Sequence, residues 1–207
     1  MFCRFLFLSS VLPFCMIVAH AQSEVDISVG LGSAQDKSNG QVIDPLGTGN
    51  FSPTGSINGL FMKIGGDVMF KPSFGAGFET SFRPAQGSYA GLGYRPLFYD
   101  FNGVYVPPVK SKHFVPELQA GLGGVNVKFY ANQQLCNSLT GCSTSNSFLT
   151  SADHFQLHFG GGIKYYVTGH IFVRPEVDVH WVNNFSQFGN NWVPEYGASI
   201  GYTLGER

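Results

Sequence analysis

The sequence predicts an all-β fold, an eight-stranded antiparallel up-and-down transmembrane β-barrel, and three observations carry that prediction. Apolar and polar residues alternate with period two in eight segments of about ten residues. The connections between the segments are alternately long and short. The composition is rich in Gly (27) and Phe (20) with only 12% charged residues, a balance unlike that of a helical enzyme of 207 residues. Mean hydropathy is near zero (+0.05), and past the N-terminus no apolar run reaches the roughly 18 residues a spanning helix needs. Alternating strands can still span, because their two faces average to a neutral value.

The first element is a secretory signal over residues 1–21. Arg4 is its single charge, Phe5 to Val18 is apolar, and Ala19-His20-Ala21 supplies small residues for cleavage. The mature chain, and with it the barrel domain, is expected to run from Gln22 to Arg207 (22–207). An uncleaved anchor helix is disfavoured by the short stretch and by Pro13. Lipidation at Cys15 is disfavoured by bulky Phe14. Without Arg4 the 12 basic residues fall to 11 against 13 acidic ones, so the mature charge is about −2. There is no basic run or stripe for nucleic acid. Cys3 and Cys15 leave with the signal, and Cys136 and Cys142 remain in a chain exported to an oxidising compartment. A disulfide closing a short loop is the reading of this pair. A metal pair is the alternative, and no His lies at ligand spacing beside it.

The eight segments follow in order. In Glu24–Gly32, Val25, Ile27, Val29 and Leu31 oppose Glu24, Asp26 and Ser28. A long polar loop, Ser33 to about Ile57, comes next. In Leu60–Phe70, Leu60, Met62, Ile64, Val68 and Phe70 oppose Lys63 and Asp67, and Lys71-Pro72-Ser73 makes a tight turn. In Phe74–Arg83, Phe74, Ala76, Phe78, Thr80 and Phe82 oppose Gly75, Gly77, Glu79, Ser81 and Arg83; Pro84–Ala90 is a loop. The fourth segment, Gly91–Val106, holds Pro96 and alternates cleanly only from Leu97, with Tyr99, Phe101 and Tyr105 against Phe98, Asp100, Asn102 and Val104. Pro107-Pro108 opens the next turn. In His113–Val125, Phe114, Pro116, Leu118, Ala120 and Leu122 oppose Glu117, Gln119, Gly121 and Gly123. A second long loop, Asn126 to about Asp153, holds the cysteine pair. The sixth segment sets Phe155, Leu157, Phe159, Ile163, Tyr165 and Val167 against Gln156, His158, Lys164 and Tyr166, before a turn at Thr168-Gly169-His170. The seventh sets Ile171, Val173, Pro175, Val177, Val179 and Trp181 against Arg174, Glu176, Asp178 and His180. After a loop at Asn183–Asn191, the eighth sets Trp192, Pro194, Tyr196, Ala198, Ile200, Tyr202 and Leu204 against Glu195, Ser199 and Thr203.

A soluble barrel also alternates, so the question is which face is wet. The polar face is rich in Gly, including Gly75, Gly77, Gly121, Gly123, Gly160 and Gly162. Small residues there suit a crowded lumen. Aromatic residues gather at both strand ends: Phe82, Trp181 and Trp192 by the long loops, Phe70, Phe74, Phe114 and Tyr202 by the short turns. Two such girdles mark membrane interfaces. The apolar face therefore meets lipid. The loop asymmetry puts both termini on the periplasmic side and the long loops outside.

On these residues the chain resembles the small outer-membrane β-barrel superfamily, the group that includes the OmpA-type transmembrane domain, over essentially all of Gln22–Arg207. The resemblance implies the outer membrane of a Gram-negative-type bacterium, with membrane lipids and the outer-membrane assembly machinery as partners. One departure stands out: such chains commonly end on an aromatic residue, whereas here Tyr202 and Leu204 precede Gly205-Glu206-Arg207.

The inward face is expected to carry a lumen charge network of Lys63, Asp67, Glu79, Arg83, Arg95, Glu117, His158, Lys164, Arg174, Glu176, Asp178, His180 and Glu195. Buried ions must pair, since an unpaired one costs several kcal/mol. An eight-stranded barrel is only wide enough for its own side chains. A structural ladder is therefore the first reading, a narrow ion or small-solute pore the second. A lipid-modifying enzyme is the third: Asp178 and His180 share the inward face, but i+2 of His180 is Val182 rather than Ser, and Ser81 lies on another segment. No catalytic residue, cofactor or metal is assigned. The long, polar outer loops are the remaining candidate site, for an extracellular ligand of unidentified chemistry.

Overall fold

The period-two pattern folds into strands whose two faces differ as sharply as the sequence does. The computed structural model describes residues 24–36, 40–111, 113–137, 141–185 and 188–205. The expected signal peptide and Gln22 start lie outside the described residues, as do Glu206 and Arg207. Among the described residues there are eleven strands: β1 (Val25–Gln35), β2 (Val42–Ile43), β3 (Ser52–Pro53), β4 (Asn58–Lys71), β5 (Phe74–Phe82), β6 (Gly87–Tyr89), β7 (Leu92–Tyr105), β8 (Phe114–Asn137), β9 (Gly141–Tyr166), β10 (Ile171–Val182) and β11 (Trp192–Leu204).

Eight of them close a barrel in the order β5-β4-β1-β11-β10-β9-β8-β7, with β7 pairing back to β5 from Phe74↔Tyr105 to Phe82↔Leu97. Every pair is antiparallel, and the first strand meets the last through Val25↔Leu204 to Ala34↔Glu195. Closure gives each of the eight wall strands a partner on both sides, which a bilayer demands. The shortest wall strand, β5, has nine residues; it runs about 27 Å and, tilted by about 40°, crosses about 20 Å of membrane.

The burial is inverted relative to a soluble protein. On β1, Ile27, Val29 and Leu31 are exposed while Asp26 and Ser28 are buried. The same holds on β4, where Leu60, Met62 and Ile64 are exposed and Lys63 and Asp67 buried. Glycines on the inward face make this possible. A Cβ on Gly77 would collide with the carboxylate of its register partner Asp67, and one on Gly160 with that of its partner Asp178. A charged side chain on one strand occupies the space left empty on the next.

Four expectations are corrected. Asn126–Asp153 is not an irregular loop: β8 and β9 stay paired from Phe114↔Tyr165 to Asn137↔Gly141, with one bulge at Phe129/Tyr130. Val125, Val127 and Phe129 continue the alternation and turn inward, which keeps the hairpin in register toward its tip. The loop after β1 contains the small β2–β3 sheet. The loop after β5 contains β6, joined to β7 by a two-residue turn with Ala90 and Gly91 both at positive φ (48° and 82°), the conformation that matches strand twist. Finally, Arg95 does not face the lumen. It shares the outward parity of Leu97, Tyr99 and Phe101 and is exposed, while Tyr94, Pro96 and Phe98 turn inward.

Candidate functional site

Three cations organise the lumen. Lys164 from β9 lies nearest the turn end. Its Nζ is 2.5 Å from Asp26, 3.7 Å from Asp67 and in contact with Glu117. Arg174 from β10 comes next, 2.6 Å from Glu176, 2.8 Å from Glu117, 3.4 Å from Glu79 and 3.5 Å from Asp67. Lys63 from β4 sits 2.9 Å from both Glu79 and Glu176 and contacts Asp178. These groups come from six strands, so the network ties opposite walls together. All are nearly inaccessible, and each charge has an opposite partner, as burial requires. Two sets of converging carboxylates, Asp26–Asp67–Glu117 and Glu79–Glu176–Asp178, have the spacing of metal ligands. Each already embraces a lysine ammonium, Lys164 and Lys63 respectively.

Toward the loop end the network becomes histidine-based. His158 bonds Asp178 through Nε2 at 3.2 Å, and its Nδ1 lies 2.8 Å from Asn102 Oδ1 and 3.2 Å from Asp100. His180 stacks on His158 with centroids 4.9 Å apart and lies against Phe98 at 4.8 Å. Its Nε2 is 3.7 Å from Glu195, whose two oxygens accept from Ser81 Oγ at 3.0 Å. Ser81, Glu195 and His180 thus do meet, but the serine donates to the carboxylate and not to the imidazole. The base beside Ser81 is therefore the Glu195 carboxylate and not the imidazole, and all three side chains are buried.

Above the histidines a buried apolar cluster roofs the barrel. Phe188 is its centre, with ring centroids 4.8 Å from Phe185, 4.9 Å from Tyr89 and 5.3 Å from Tyr94. Phe61, Phe98 and Phe129 pack into the same cluster. Arg83 lies at this rim rather than in the ion ladder: its Nη1 donates to Tyr94 Oη at 3.0 Å, and Tyr94 donates to Ser56 O at 2.5 Å. At the opposite end a vestibule of about 670 Å³ opens between the turns, with Asp26, Lys164 and Tyr166 among its lining.

The aromatics lie as two tiers on the outward face. Phe70, Phe74, Phe114 and Tyr202 are exposed at the turn end, where Phe74 packs on Tyr105 at 5.1 Å and Phe114 on Tyr165 at 5.0 Å. Near the loop end Trp181 stands opposite Trp192, and Phe82 opposite Leu97. Cys136 and Cys142 are register partners near the hairpin tip; the Cys136 side chain lies outside the described ones.

Sequence reasoning left Asp26 and Asp100 out of the network, although parity puts both inward. It also missed the roof. Phe61 and Phe98 have inward parity, but Phe185 and Phe188 come from a loop with no periodicity to reveal them.

A closed barrel with a lipid-facing apolar surface and a lumen filled by its own side chains defines a small outer-membrane β-barrel. A family model, the outer membrane protein beta-barrel domain, matches residues 7–205. The chain belongs to that family, which indicates the bacterial outer membrane. No curated protein matches the chain in sequence. Among solved structures it is similar to Neisserial surface protein A (15% identity, 89% of this chain and 98% of that one, TM-score 0.54). It is also similar to OprG from Pseudomonas aeruginosa (14%, 91% and 99%, 0.53). A third is the attachment invasion locus protein Ail of Yersinia pestis, solved with the heparin analogue sucrose octasulfate (14%, 88% and 99%, 0.51). At these identities the likeness is one of fold.

Proposed function

We propose that this chain is a non-enzymatic outer-membrane barrel that presents its loop end at the cell surface to bind an extracellular ligand. One observation carries the reading: the wall does not stop at the membrane. β7, β8 and β9 continue past the apolar belt and are held together by the aromatic roof around Phe188. Such a packed platform suits recognition, because binding residues work best on loops held by a rigid scaffold. Outer-membrane barrels put short turns in the periplasm and long loops outside, which assigns the platform to the exterior. Ail, a barrel of the same fold, was crystallised with a sulfated sugar.

A narrow pore has two obstacles in series, the ladder of Lys164, Arg174 and Lys63 and the apolar roof. A lipid-modifying enzyme has the burial of Ser81, Glu195 and His180 against it. Cys136 and Cys142, opposite each other in register, are proposed as a disulfide that pins the hairpin tip. Residues 1–21 are proposed as the cleaved export signal, and the assembly machinery as the partner that inserts the barrel. The test is conductance of the full mature chain in planar bilayers. The expected result is no channel events above the protein-free baseline; regular unitary events would overturn the non-conducting reading. An altered lipid A mass profile on expression would instead make it an enzyme.

A further inference from the structure

Arg95 and Lys128 are the feature that the barrel's own chemistry leaves unexplained. They are direct register partners on β7 and β8, on the outward face, and both are exposed. Like charges directly opposite each other on one face of a sheet destabilise the pairing. Among the described residues no carboxylate lies within 4.0 Å of either. The acid in the neighbouring row, Asp153, accepts instead from Asn126 Nδ2 at 2.6 Å. The Arg95 guanidinium lies over the Tyr130 ring, 5.7 Å from its centroid, and Tyr130 is backed by Phe148 at 6.1 Å. The aromatic pair covers one side of the guanidinium and leaves the pair open outward.

Their height matters as much as their charge. Below them on the same face come the row Leu97–Asn126–Asp153 and then the row Tyr99–Gly124–Phe155, whose Tyr99 and Phe155 are exposed. Arg95 and Lys128 therefore sit two residues above Leu97. That is about 7 Å along the strand and about 5 Å along the membrane normal at the usual tilt. The headgroup layer on one side of a bilayer is about 5–8 Å thick. With the Leu97 row taken as the upper edge of the apolar belt, the two cations fall within the thickness of one headgroup layer.

We infer that Arg95 and Lys128, with Tyr130, form a site for a phosphate-bearing lipid headgroup of the outer leaflet. The bridging phosphate removes the like-charge repulsion, and the guanidinium fork suits it. This rests on the loop end being external, which surface labelling tests separately.

The experiment uses the full mature chain, refolded in lipid-free detergent and titrated in native mass spectrometry with bisphosphorylated lipid A. Wild type is expected to retain the lipid about tenfold better than R95Q/K128Q, the scale of one charge-assisted contact. R95K/K128R, which keeps both charges, should retain it within about threefold. Dephosphorylated lipid A should bind wild type no better than the double variant binds the intact lipid. Millimolar inorganic phosphate should leave bound lipid in place. Equal retention by wild type and R95Q/K128Q, or by intact and dephosphorylated lipid, would overturn the proposal. Complete displacement by inorganic phosphate would overturn it as well, by making the site one for free anions. The dephosphorylation arm needs only the wild-type chain, so a folding defect in a variant does not remove the test.

Discussion

Arg174 reaches four carboxylates, Asp67, Glu79, Glu117 and Glu176, and among the described residues no other side chain in the lumen spans as many strands. Replacing it with Met removes the guanidinium and leaves those acids sharing Lys63 and Lys164. Breaking one partner of a buried ion network costs about 3–5 kcal/mol. The expected outcome for Arg174→Met is a lowered urea midpoint in refolded vesicles. An unchanged midpoint would show that the ladder is not what holds the walls together. Arg174→Lys should fall between, because an ammonium cannot fork between strands. Outside the membrane, Asp44 caps a turn by accepting from Gly49 N at 2.6 Å, Thr48 N at 3.2 Å and Leu46 N at 3.3 Å. The Gly49 amide above all holds its carboxyl below the ordinary value of 3.8. A lowered folded pKa means stability that is present above the unfolded pKa and lost as pH falls through the folded one. Amide exchange at Thr48 and Gly49 should follow only the intrinsic rate between pH 7 and 5, with added opening below about pH 4. Parity alone reveals that Lys63, Glu117 and Arg174 face inward, because an alternating strand has one choice of face. It does not reveal which acid each cation takes, since that depends on strands brought together by closure. Arg95 escapes the reading because Pro96 interrupts the pattern just where its parity has to be counted.

At the scale of strands, glycine is what fits charge into a narrow barrel. Gly160 faces Asp178, and Gly77 faces Asp67, across the register. Gly160→Val is expected to destabilise by about 1–3 kcal/mol through overpacking, read as a lower urea midpoint and weaker heat-modifiable migration on gels. Gly169→Ala, in an open turn with nothing within 4 Å, is the control and should change neither. Equal effects from the two would remove the space-filling argument. The strand positions and turns were legible because lipid on one side and lumen on the other enforce strict alternation. The β8–β9 extension was not read as strand, although Val125, Val127 and Phe129 continue the period, because polar residues with Gly and Ser there look like loop. Pairing with a partner strand held in register overrides that local preference.

For the whole molecule, orientation and roof decide what the barrel can do. Leu149 is exposed near the loop end, Gly169 in a turn at the other. In intact cells a membrane-impermeant maleimide should label Leu149→Cys, and label Gly169→Cys only after permeabilisation. The reverse pattern would invert the orientation. The unsubstituted chain should take up label only after reduction, if Cys136 and Cys142 are joined. The alternation, the Gly-rich polar face and the loop asymmetry determined the fold class by themselves, because a strand crossing lipid must sort its residues by face before any tertiary contact forms. What the tertiary structure decided was closure and its consequences: which acids surround Lys164, Arg174 and Lys63, that Phe185 and Phe188 roof the lumen, and that Arg95 meets Lys128 on the lipid side. These are contacts between residues far apart in the chain. Only register across a closed ring brings them together.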